Sequence, residues 1–106
     1  MRLLMVKFQT VYWRDIPAQI KGKEGRQRVG RPLSTRFQVA IDEAAMRAGL
    51  DGSDAYLAEW GNGVWQEHDG DPETLLDTLV AELETAYPPE RLRRLVANGG
   101  QKEDGA

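Results

Sequence analysis

Between Pro72 and the pair Pro88-Pro89, the residues Leu75, Leu76, Leu79, Val80, Leu83 and Tyr87 form an unbroken apolar stripe at helical spacing. A helix with such a stripe must bury it against another element, so this stretch commits the chain to a layered core. Asp71 is placed to cap it, and Pro72 takes the first helical position, where a missing amide hydrogen costs nothing. Asp77, Glu82 and Glu84 fall on the solvated side. A second stripe of Phe37, Ala40, Ile41, Ala44 and Ala48 follows Pro32 and a Ser34 or Thr35 cap. Gly49 ends it as a left-handed terminator, with Leu50 folding back on the last turn. Its alanines predict close packing on a sheet. Pro89 to Val96 predicts a short terminal helix with Leu92, Leu95 and Val96 packed and Arg91, Arg93 and Arg94 exposed.

The rest of the chain must supply the sheet. Leu3 to Trp13 alternates apolar and polar residues with period two and reads as a strand, with Leu4, Val6, Phe8 and Tyr12 inward and Val11 and Trp13 outward. Pro17 is expected to end regular pairing because it lacks an amide hydrogen. Asp51-Gly52-Ser53-Asp54 reads as a turn, and Ala55–Trp60 and Val64–His68 as the arms of a hairpin around Gly61-Asn62-Gly63. The order strand, helix, strand, strand, helix gives an α+β fold: a two-layer βαββα sandwich with a three-stranded mixed sheet. A right-handed crossover sets its first two strands parallel, and both helices cover one face, as in a ferredoxin-like fold without its last strand. One domain over residues 1–98 is expected, with a flexible tail over 99–106.

The segment between the first strand and the first helix is different. From Lys21 to Gly30 three glycines (Gly22, Gly25, Gly30) alternate with charge and no apolar period appears, which predicts a loop. Arg14, Lys21, Lys23, Arg26, Arg28 and Arg31 stand against Asp15 and Glu24, a local charge of +4 in a chain whose net charge is −3, so the remainder carries −7. An acidic domain that gathers its cations into one segment is expected to present that segment to a partner. The plainer alternative is a solvated loop that balances an acidic globule.

Composition narrows the chemistry. The absence of cysteine excludes disulfides, thiolate metal sites and cysteine nucleophiles, and a single histidine excludes a multi-histidine metal site within one chain. The apolar run Leu3-Leu4-Met5-Val6 is interrupted by Lys7, too short for a signal peptide or a membrane span. A cytoplasmic location is expected, with no membrane, metal or cofactor.

Tyr12-Trp13-Arg14-Asp15-Ile16-Pro17-Ala18-Gln19, Arg31-Pro32-Leu33, Phe37-Gln38-Val39-Ala40-Ile41-Asp42 and Ala45-Met46-Arg47-Ala48-Gly49-Leu50 together resemble the bacterial virulence factor domain family. These small proteins are also similar to the end of the larger conserved virulence factor C proteins. The resemblance spans roughly Lys7 to Tyr87, and its distinctive part is the Tyr-Trp-Arg-Asp-Ile-Pro run. It implies no catalytic or ligand residues.

The residues expected to make contact are Tyr12, Trp13, Arg14, Asp15, Lys21, Lys23, Arg26, Arg28 and Arg31, together with the helix-free sheet face. A protein partner or a second copy is the first reading. Nucleic acid or a phosphorylated ligand is the second: glycines admit an anion to backbone amides, and Trp13 with Trp60 or Trp65 could stack bases. No Walker loop and no RNP-type aromatic motif supports it. An enzyme using Arg14, Asp15 and His68 is the third; Glu67 cannot simply orient His68, because adjacent strand residues point to opposite faces. Asp69 and Asp71 are explained by turn and cap chemistry, and Arg91, Arg93 and Arg94 by a solvated helix face.

Overall fold

The computed structural model describes residues 5–50 and 52–102. Leu3 and Leu4 of the expected first strand, Asp51 of the expected turn and residues 103–106 of the expected tail lie outside the described residues. The chain runs β1 (Met5–Trp13), β2 (Ile16–Glu24), β3 (Gln27–Pro32), α1 (Thr35–Arg47), α2 (Asp54–Ala58), β4 (Trp60–Asn62), β5 (Gln66–Asp69), α3 (Pro72–Ala86) and α4 (Pro89–Ala97). The described residues form an α+β fold with five strands and four helices.

The sheet differs from the expected one. Its order is β3-β2-β1-β4, with β5 also pairing β1, and every pairing is antiparallel. The parallel crossover and the three-stranded layout do not form, because the segment expected to be a loop supplies two strands of its own. β2 and β3 join through Gly25-Arg26, and Gly25 takes the positive φ of +58° that a tight hairpin turn requires. Pro17 does not stop the pairing either. It sits opposite Tyr12 beside a register shift that leaves Ala18 without a partner on β1, and such irregularities are where a sheet tolerates proline.

Nor is Ala55–Trp60 a hairpin arm. Ser53 caps a short helix instead, its Oγ accepting the Tyr56 amide at 3.2 Å, so most of this stretch is α2. Trp60–Asn62 and Gln66–Asp69 are strands, but each pairs with β1.

Three helices match their patterns. Gly49 at φ +72° closes α1, with its amide donating to the Met46 carbonyl and the Leu50 amide to that of Ala45. Ser34 occupies the position before α1, yet its side chain does not cap it. Its amide and hydroxyl both donate to the Glu84 carboxylate, at 2.7 and 2.8 Å. Glu84, expected on the solvated side, therefore turns toward α1, where it also pairs with Arg36. Arg36 donates further to the carbonyls of Glu84 and Tyr87 and so caps the end of α3. Asp71 accepts the Thr74 amide at 2.9 Å and starts α3. In α4, Leu92, Leu95 and Val96 are buried while Arg93 and Arg94 are exposed.

The core has two contiguous parts. Val6, Phe8 and Ile20 pack with Leu76 of α3. Trp13, Ile16 and Leu33 pack with Phe37, Ala40, Ile41, Ala44 and Ala45 of α1 and with Leu92, Leu95 and Val96 of α4. Val80 and Leu83 touch both. A single inward phase along β1 is thus corrected. Val6 and Phe8 are buried as expected, but Val11 and Trp13, expected outward, are buried as well, and Tyr12 only partly. The cause is coverage that changes along the strand, with α3 over one end and α1 and α4 over the other.

Candidate functional site

The segment after β1 is a clamp. Arg14 adopts φ +51°, a conformation that a residue with a Cβ rarely takes, and this turns β1 back into β2. Its backbone amide donates to the Glu59 carbonyl, its Nε to Glu59 Oε1 at 2.8 Å, and its Nη1 to the Gly99 carbonyl at 3.0 Å. The Asp15 amide donates to the Gly100 carbonyl, and Asp15 Oδ2 accepts the Lys102 amide at 2.7 Å. Trp13 donates its indole N–H to the Tyr56 carbonyl and stacks on the Tyr56 ring. Gly99 to Lys102, the first part of the expected tail, therefore lies against this turn.

Beside the clamp a pocket of about 220 Å³ is lined by Tyr12, Arg14, Asp15, Tyr87, Arg91 and Lys102. Arg91 lies over the Tyr87 ring at 4.0 Å and donates Nη1 to the Ala86 carbonyl. Burial raises the Tyr87 phenol above its ordinary pKa, and the Arg91 charge partly opposes that shift.

The other expected contact residues lie on the β2–β3 hairpin. Register places Lys7, Lys23 and Arg28 in one row across β1, β2 and β3, and Gln9, Lys21 and Gly30 in another. Residues two apart on a strand share a face, so Lys21, Lys23 and Arg28 project together, opposite to Ile20 and Gly22. Arg26 occupies the turn. Lys23 Nζ sits 4.5 Å above the Trp65 ring, which brings that exposed indole into the group.

These cations are poorly neutralised. Lys7 reaches Glu67 only at 3.9 Å, between two exposed side chains, a geometry that contributes little. Among the described residues, Lys21, Lys23, Arg26 and Arg28 are in no ion pair. Arg31 leaves the group, paired with Glu73 and Asp77 of α3. Like charges on directly opposed strand positions destabilise a sheet, and here Lys7, Lys23 and Arg28 are set side by side.

Of the nine expected contact residues, four thus form a cationic face: Lys21, Arg26 and Arg28, which are exposed, and Lys23, which is half-buried. Trp13 is core, Arg14 and Asp15 hold the C-terminal segment, Tyr12 lines the pocket, and Arg31 is bonded to α3. Sequence reading missed Lys7 as a member of the face and offered Trp65 only as an alternative to Trp60 beside Trp13. The alternation of Lys7 with Val6 and Phe8 already turned it outward, whereas nothing in the sequence placed Trp65 beside Lys23.

Arg14, Asp15 and His68 do not meet. His68 pairs with Val6 and packs on Phe8, whereas Arg14 lies beyond the far end of β1, about 26 Å along the chain at strand rise. Among the described residues no group of three or more His, Asp or Glu is placed to hold a metal ion. No described helix is long and apolar enough to cross a membrane.

The family model described as Virulence factor matches residues 11–96. No curated protein and no solved structure matches the chain.

Proposed function

The chain belongs to the virulence factor family, and on that premise we propose that it is a non-enzymatic interaction domain that docks an acidic protein surface on the outward face of β2 and β3. One observation carries this reading: Lys7, Lys23 and Arg28 are aligned across three strands, with Lys21 and Arg26 beside them and, among the described residues, only the 3.9 Å Lys7–Glu67 contact to neutralise them. The row costs stability in the isolated domain, and an anionic partner relieves that cost while the charges steer its approach. Trp65, held beneath Lys23, adds an aromatic anchor of the kind protein interfaces favour. Two copies cannot meet face to face through this surface without opposing like charges, so the partner is a different protein or a different face of a second copy.

A second reading has an observation of its own. Trp65 is 39% exposed beside a cationic strand pair, an arrangement that stacks single-stranded bases. The −7 charge outside the basic segment opposes it, since a long polyanion leaving the hairpin would run over an acidic domain.

Titration with poly-L-glutamate and with a single-stranded oligonucleotide separates the two readings. The protein-partner reading expects the acidic polypeptide to bind, and Lys23→Ala with Arg28→Ala to weaken it about tenfold. Tighter binding of the oligonucleotide, with affinity falling steeply as salt is added, supports the second reading instead. Unchanged binding in the double variant sinks both.

A further inference from the structure

We infer that the pocket between the Tyr12–Asp15 turn and the α3–α4 junction binds a small oxyanion, a carboxylate or a phosphate. Its lining is wholly polar or aromatic, with donors supplied by Tyr12, Arg14, Tyr87, Arg91 and Lys102. The two arginines are already fixed by bonds made elsewhere. Arg14 spends Nε on Glu59 and Nη1 on the Gly99 carbonyl, and its Nη2 donates to no described residue. Arg91 spends Nη1 on the Ala86 carbonyl and is held flat on the Tyr87 ring. A ligand therefore does not bear the cost of ordering either side chain, and each guanidinium keeps an edge in the geometry that matches a planar or tetrahedral oxyanion.

Charge points the same way. Glu59 balances Arg14, and Asp15, whose Oδ2 accepts the Lys102 amide, offsets one further cation of the lining. Arg91 is in no ion pair among the described residues, so one positive charge is left over in a site walled by two phenol rings. Burial raises the pKa of Tyr87, so its hydroxyl remains a proton donor at neutral pH. The volume of about 220 Å³ admits phosphate or a short dicarboxylate. Asp15 sets the orientation, repelling the anion from one wall and directing it toward Arg91. The site is independent of the hairpin face, since Tyr12 is five residues along β1 from Lys7, about 17 Å at strand rise.

Amide chemical shifts recorded during titration with inorganic phosphate, with succinate and, at matched ionic strength, with chloride test the assignment. Saturable shifts at Tyr12–Asp15 and Tyr87–Arg91 are expected from phosphate, succinate or both, and the better binder identifies the oxyanion. Arg91→Gln should weaken binding by about tenfold or more while the spectrum stays dispersed. Arg91→Lys should recover part of the loss, and Arg28→Gln on the hairpin should leave the shifts at Tyr12–Asp15 and Tyr87–Arg91 unchanged. Non-saturating shifts that chloride reproduces would overturn the assignment, as would undiminished binding in Arg91→Gln or no response to either oxyanion.

Discussion

Gly22 and Gly100 are where single residues decide what the chain can do. Gly22 occupies an inward strand position, and a Cβ there would lie 2.8 Å from Phe8 Cε1 and 2.9 Å from Val29 Cγ2. The neighbouring strand's ring fills the space that an apolar side chain would otherwise take. For that reason the Lys21–Gly30 segment shows no apolar period and reads as a loop: its inward residue is a glycine and its buried surface belongs to Phe8. Gly100 stands at φ +91° with a would-be Cβ 2.8 Å from Trp13 Cζ3, so the C-terminal segment crosses the indole at contact distance. Gly100→Ala should lower the urea-unfolding free energy by about 1–3 kcal/mol, combining a strained φ with overpacking against a rigid ring. Trp13→Ala should cost about 3–5 kcal/mol, since Trp13 is fully buried and holds the cluster of α1 and α4 together. An exposed contact residue would show no such loss.

At the scale of elements, α1, α3 and α4 were legible because an apolar stripe and a terminator agree for each of them, with a true side-chain cap added only at α3. Pro72 and Gly49 mark their boundaries, and the apolar stripes name their buried faces. α2 was not legible: Tyr56, Ala58 and Trp60 alternate as a strand would, and only the Ser53 cap tips so short a segment into a helix. Glu84 was misplaced because its bonds to Ser34 and Arg36 are tertiary and leave no local trace. The cap of α3 gives a pH dependence. Hydrogen bonds from the Thr74 amide and hydroxyl hold the Asp71 carboxyl below its ordinary pKa of 3.8. A carboxyl with a depressed folded-state pKa stabilises above the unfolded value, and that contribution fades as pH falls through the folded one. The stability difference between the native chain and Asp71→Ala should therefore be full at pH 5 and shrink below pH 3.8, as read by urea unfolding at several pH values. A constant difference would mean the cap acts without its charge.

For the whole molecule, the segregation of charge was visible in the sequence, but its geometry was not. Six cations in one segment divide into three uses once the chain folds. Arg14 braces the C-terminal segment, Arg31 ties β3 to α3, and Lys21, Lys23, Arg26 and Arg28 remain as a surface joined by Lys7. Strand register makes this division, and register is not written in composition. A surface retained against its own repulsion should trade stability for binding. Arg28→Gln should raise the unfolding free energy by about 0.5 kcal/mol while weakening the partner complex, a pairing of effects that a merely solvated face would not produce. The most direct test is a photo-crosslinking residue placed at position 28 in the native host, with position 43 on α1 as the control. A discrete protein adduct at position 28, missing at 43 and lost when Lys21, Lys23 and Arg26 are neutralised, is the result predicted here. Equal labelling at both positions, or adducts to nucleic acid alone, would contradict an acidic protein partner on this face.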